Sequence, residues 1–136
     1  MKNFLKTIFI IFSFIFISCS NDVTKTGTGI DTKYRGQYSG DVTRKHKNGS
    51  NENGKASFTV NDDGSLKGSI NYYGGYKSEN VEISSGNINK ISDNAYSAEI
   101  NFVGLKKYTF IFKGSIMEIK IINEDDSITS GQLLKK

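Results

Sequence analysis

The chain has 136 residues, with 18 basic and 14 acidic side chains and a single histidine, a length suited to one domain. One Cys and one His exclude an internal disulfide and a zinc site of the usual ligand types. Part of the basic excess sits at the start: without Lys2 and Lys6 there are 16 basic against 14 acidic groups, a charge of about +2, too nearly balanced to point to nucleic acid.

The first stretch is a targeting segment. Lys2 and Lys6 form a basic head, and residues 8–17 are apolar apart from Ser13. That is the pattern of a secretory signal peptide; a membrane-spanning helix needs about 20 apolar residues. Five of the nine Phe lie in this segment, so the aromatic content of the remainder is lower than the whole chain indicates. The run Phe16-Ile17-Ser18-Cys19 resembles the lipobox of bacterial lipoproteins, with Phe16 where that family usually has Leu. The resemblance implies cleavage before Cys19, diacylation of its sulfur and acylation of the new amino terminus. Two or more acyl chains anchor a protein stably where one does not. Ser20, rather than Asp, follows the cysteine, which implies an outer-membrane address in a Gram-negative cell. The expected organisation is a helical signal peptide at 1–18, a lipidated flexible tether at 19–32, and a single antiparallel β domain at 33–136. The tether is rich in Thr and Gly and lacks the apolar surface that folding needs.

From Tyr34 onward apolar residues recur with period two, the pattern of half-buried strands. Tyr38, Gly40 and Val42 alternate with Ser39 and Asp41; after a polar loop at 46–53, Ala56, Phe58 and Val60 alternate with Ser57 and Thr59. Asn61-Asp62-Asp63-Gly64 reads as a tight turn in which Gly64 takes the left-handed conformation. Leu66, Gly68, Ile70 and Tyr72 follow, and Gly74-Gly75 reads as a two-residue hairpin turn. Val81 and Ile83 mark the return strand, and residues 86–94 a longer connection. Tyr96, Ala98, Ile100 and Phe102 form the next inward row. Tyr108, Phe110 and Phe112, then Met117, Ile119 and Ile121, then residues 127–134 complete the set.

About eight short strands at regular spacing, with no sustained helical period, predict an all-β fold. The expected architecture is an antiparallel meander closed as a small barrel or folded as a sandwich. Phe58, Ile70, Ile100, Phe110 and Ile119 are expected to point inward. Four stretches resemble a pattern found in small secreted bacterial β proteins described as lipocalin-like or calycin-like. They are Gly36-x-Tyr38-x-Gly40, Phe58-x-Val60-x-x-Asp63-Gly64-x-Leu66-x-Gly68-x-Ile70, Phe112-x-Gly114 and Gly131-Gln132-Leu133-Leu134-Lys135. These are structural glycines and turns, so the resemblance implies a fold and not an activity. The Gly-x-Trp signature of lipocalins is missing, because the chain has no Trp.

Little in the sequence points to catalysis. His46 lies among Arg44, Lys45 and Lys47, whereas a catalytic histidine is oriented by a carboxylate towards a nucleophile. Thr59-x-Asn61-x-Asp63-Gly64 lacks both the first and the last acidic ligand of a calcium loop and reads as a hairpin turn. No cofactor and no metal are expected. Two candidate contact surfaces stand out. Tyr73 and Tyr76 flank the glycine turn, and tyrosines offer rigid contact area with a polar tip. Arg44, Lys45 and Lys47, with Lys55, border the first loop and could meet anionic groups. The expected function is a non-enzymatic binding module, held to the membrane through lipid on Cys19 and facing an envelope protein or glycan. The alternative is an inhibitor or immunity lipoprotein that blocks a lytic enzyme or toxin through one loop.

Overall fold

The period-two alternation builds nine antiparallel strands in a computed structural model that describes residues 27–75 and 78–136. They are β1 (Gly36–Lys45), β2 (Asn51–Val60), β3 (Leu66–Tyr72), β4 (Ser78–Ile83), β5 (Ile88–Ser92), β6 (Ala95–Asn101), β7 (Leu105–Lys113), β8 (Ile116–Ile122) and β9 (Ile128–Lys135). One sheet holds them in the order β4-β3-β2-β1-β9-β8-β7-β6-β5. The chain's first and last strands pair in the middle, with Tyr38 opposite Lys135 and Val42 opposite Gly131. The sheet curls into a half-barrel, and its apolar parity lines the concave side. Tyr38, Phe58, Ile70, Tyr96, Phe110 and Leu133 are among the side chains completely buried there. Of the residues expected inward, Phe58, Ile70, Phe110 and Ile119 are buried, and Ile100 is half-buried against them. The leader, its lipobox and Cys19 lie outside the described residues.

Because all neighbours are antiparallel, β4 and β5 run in the same sense, and residues 84–87 carry the chain from one edge of the sheet to the other without a reversal. The barrel is therefore interrupted between these two strands. At one end the gap is sealed by residues 27–30: the Gly27 N–H donates to Gly86 O, that of Gly29 to Ile88 O, and that of Ile30 to Gly64 O. Ile30 is buried. Residues 27–32 were expected in the flexible tether, yet they belong to the fold. Backbone hydrogen bonds and one buried isoleucine hold them, which their polar composition does not reveal.

Four details differ from the expected elements. The described residues form nine strands rather than eight, since residues 88–92 form β5 within the stretch read as a connection. The first loop is shorter than 46–53, because β2 begins at Asn51. Phe102, expected in the inward row of β6, lies beyond the strand's end in the β6–β7 turn and is 91% exposed. The period-two alternation does not foresee a register shift, yet one falls between Lys90 and Ser92. Gly68 sits opposite Phe58, and a Cβ there would strike the Phe58 ring and the Ser57 carbonyl, so the glycine leaves room for the aromatic side chain.

Candidate binding end

Strand sense sorts the loops into two ends. The connections after β1, β3, β6 and β8 lie at one end, and those after β2, β5 and β7, with the segment at 27–35, lie at the other. At the sealed end, the 3-10 turn Thr32–Tyr34 folds Tyr34 over the barrel's mouth. Its ring stacks on Phe112 at 4.3 Å, and Tyr96 and Tyr38 meet Phe112 edge-on at 5.8 and 5.6 Å. The Tyr38 hydroxyl donates to Tyr34 O at 2.8 Å. Lys90 Nζ and Asp31 Oδ2, 2.8 Å apart, fasten the segment outside, and this pairing holds the Asp31 carboxyl below its ordinary range.

At the other end the inward parity changes from apolar to charged. Arg44 continues the row of Tyr38 and Val42, Glu52 that of Ala56 and Phe58, Glu79 that of Val81 and Ile83, and Lys106 that of Tyr108 and Phe110. Register places Arg44 opposite both Glu52 and Thr129. Its Nη2 donates to Glu79 at 2.7 Å, its Nη1 stands 3.7 Å from Glu52, and its guanidinium lies over the Tyr72 ring at 4.1 Å. The hydroxyls of Tyr72 and Thr129 bond at 2.8 Å. Lys106 pairs with the other oxygen of Glu79, and His46 Nε2 stands 3.5 Å from Glu52. Burial raises the Tyr72 and Tyr108 pKa values. Burial, then the adjacent Arg44 charge, lowers that of Lys106. Two fixed cations thus share two carboxylates, and the cluster is balanced within itself.

Lys106 and Glu79 join β7 to β4 across the interruption in the barrel. Here the gap is an open cleft of about 620 Å³, with Val81, Ile83, Ile100 and Tyr108 among its walls. That volume lies within the range of about 300–1,000 Å³ typical of ligand sites. The β6–β7 turn forms its outer lip, where Phe102 is 91% and Val103 83% exposed.

The candidate contact residues do not all gather on one surface. Tyr73 is exposed at the open end, just beyond β3. Tyr76 lies outside the described residues. Arg44 faces the concave side and is committed to Glu79 and Glu52, while Lys45 and Lys55 are exposed on the other parity. Lys47, in the first loop, pairs with Asp126 at 2.5 Å. Sequence reasoning missed Glu52, Glu79, Lys106 and the Phe102-Val103 tip. The available signal was a charged residue on the inward parity of a strand.

The three loops at 46–50, 61–65 and 123–127 share one design. In each, the first residue's N–H donates to the fifth residue's carbonyl. In each, Asn48, Asp63 or Asp125 accepts from both the N–H and the hydroxyl of the closing serine. The fourth position is left-handed, with φ of 86° at Gly49, 79° at Gly64 and 60° at Asp126. The calcium-like stretch around Asp63 is thus a serine-closed hairpin turn. No family model, curated protein or solved structure matches this chain.

Proposed function

We propose that the protein is a lipid-anchored envelope lipoprotein whose β domain is a non-enzymatic binding module, and that the open end of the half-barrel receives the partner. One observation carries this reading: the interruption in the barrel is closed by the chain at one end and left as an apolar-walled cleft at the other. A fold that needed only stability would gain from filling both. The charged groups beside the cleft favour binding over catalysis, since they pair with one another. The anchor rests on the lipobox-like Phe16-Ile17-Ser18-Cys19. Cys19→Ala is expected to abolish acyl labelling; a wild-type protein without lipid would refute the anchor.

A photo-crosslinking side chain tests the binding end. Placed at Asn80, beside the cleft, it is expected to give a discrete adduct in the native envelope. Placed at Asp93, at the sealed end, it is expected to give none. Equal adducts from both sites, or none from either, would refute the assignment.

A second reading, an inhibitor or immunity lipoprotein, is favoured by the exposed Phe102-Val103 tip, a shape suited to entering another protein's pocket. It predicts that Phe102→Ser with Val103→Ser abolishes the adduct while the cleft is intact.

A further inference from the structure

The cleft is bounded by backbone as well as by side chains. Among the described residues β4 has one neighbour, β3. Across the cleft β5 pairs with β6 only as far as Ala98, so residues 99–101 of β6 have β7 alone beside them. Two strand edges therefore face each other over the same gap. An edge presents a row of N–H and C=O groups that can template another strand, and proteins usually blunt it with a bulge, a lysine or a cover. The β5 edge has all three: the shift at Lys90–Ser92, Lys90 itself, and the covering segment at 27–30. The β4 sequence Ser-Glu-Asn-Val-Glu-Ile has neither bulge nor lysine. The β5 edge is protected, while β4 and residues 99–101 of β6 are left available along the cleft.

We propose that this gap accepts an extended segment of a partner protein as an added strand, with apolar side chains alternating with basic ones. The proposal rests on the binding reading above and names the partner's chemistry. Main-chain hydrogen bonds to a sheet edge supply affinity, and alternate side chains supply specificity. Inward side chains of the added strand meet Val81, Ile83 and Ile100. Outward ones share the face that carries Glu82 on β4 and Glu99 on β6, both on the exposed parity of their strands. On both sides the charges read Glu, then Lys, moving away from the gap: Glu82 is opposite Lys67, and Glu99 lies 3.6 Å from Lys107. Opposite charges across adjacent strands are favourable and like charges unfavourable, so a basic side chain fits the central place in that row. Because β4 and β6 run in opposite senses, the added strand is parallel to one and antiparallel to the other.

The test uses the full chain in detergent and an acetylated heptapeptide, Thr-Val-Lys-Val-Lys-Val-Thr. One control peptide has Glu for Lys, and another carries N-methyl groups on alternate residues. Expected are binding of the lysine peptide, at least tenfold weaker binding of both controls, and slower hydrogen exchange at residues 78–83 and 99–101. Glu82→Lys with Glu99→Lys, both exposed, should reverse the preference between the lysine and glutamate peptides. Absence of binding at about 1 mM, the level of the weakest specific complexes, would overturn the proposal, as would indifference to N-methylation or to charge reversal. Protection of the amides of residues 78–83 that point away from β3, before any peptide is added, would overturn it too, by showing that a preceding part of the chain or a second copy fills the gap. If the peptides fail while Asn80 still gives its adduct, the strand slot falls and the binding end stands.

Discussion

The two ends of the half-barrel are built from the same strands with opposite priorities. At the sealed end Tyr34, Tyr38, Tyr96 and Phe112 pack ring against ring, and residues 27–30 close the interruption with backbone hydrogen bonds. At the open end the same inward parity carries Arg44, Glu52, Glu79 and Lys106, and the interruption persists as a cleft. Stability is thus concentrated at one end, which frees the other to keep surface that is costly to leave unfilled. The ion pairs contribute to this division. A paired charge facing the concave side keeps the mouth from collapsing into a second apolar core, while its partner limits the desolvation penalty.

The largest expected effect is a difference between apolar truncations at the two ends. Phe112→Ala removes the ring that Tyr34, Tyr38 and Tyr96 all touch, and should destabilise by about 3–5 kcal/mol in chemical denaturation. Ile100→Ala, on the half-buried cleft wall, should fall well short of the about 2–5 kcal/mol of a fully buried site. Equal losses would mean that the cleft is filled as tightly as the sealed end.

Arg44→Met comes next. It leaves Glu79 and Glu52 without their guanidinium, yet the side chains of Arg44 and Glu79 are 19% and 21% exposed. The loss should therefore be about 1–3 kcal/mol, below the roughly 3–5 kcal/mol of a fully buried pair. A double-mutant cycle with Glu79→Gln should show coupling; strict additivity would mean that the pair is ornamental.

Much of this could be read before the structure was known. In β2 and β8 the buried residues Ala56, Phe58 and Val60, and Met117, Ile119 and Ile121, alternate without interruption, and the inward face follows directly. In β5 the pattern fails for a physical reason: the shift between Lys90 and Ser92 breaks the period, and Ile91 is 62% exposed beside buried Ile88. Phe102 continues the parity of Tyr96 and Ile100 in sequence, but the strand ends at Asn101 and Gly104 turns the chain at φ 101°. The covering segment at 27–30 leaves no side-chain pattern, because backbone groups hold it. Arg44 and Lys106 were visible as charges on apolar rows. That both reach Glu79 depends on the sheet's curl, which brings β4 close to β7 although they are far apart in strand order.

The shared loop design gives a smaller prediction. Gly64→Ala should destabilise by about 1 kcal/mol or more, from its left-handed φ and from the crowding of a Cβ against Ile30 O. At the equivalent place in the open end's loop, Asp126→Gly should be neutral or stabilising by up to about 1 kcal/mol, because only an exposed pair with Lys47 is lost. The opposite signs would follow from one backbone requirement met by different residues.

The smallest effect is in acid. Hydrogen bonds from Ser127 and Ser65 hold the carboxyls of Asp125 and Asp63 below their ordinary range, as Lys90 does for Asp31. A carboxyl depressed in the folded state contributes stability that is fully present above its unfolded pKa of about 3.9 and disappears as pH falls through the folded value. Denaturation midpoints should therefore be flat in this respect above about pH 5 and decline below about pH 4. Ser127→Ala with Ser65→Ala should flatten part of that decline.

The central claim, that the barrel is closed at one end and available at the other, is tested most directly by hydrogen exchange on the resting full chain. The account predicts slow exchange at the N–H groups of Gly29 and Ile30, which seal the gap, and fast exchange at every second amide of β4 along its outer edge. Uniform protection along β4, at the level of the sealing residues, would contradict it.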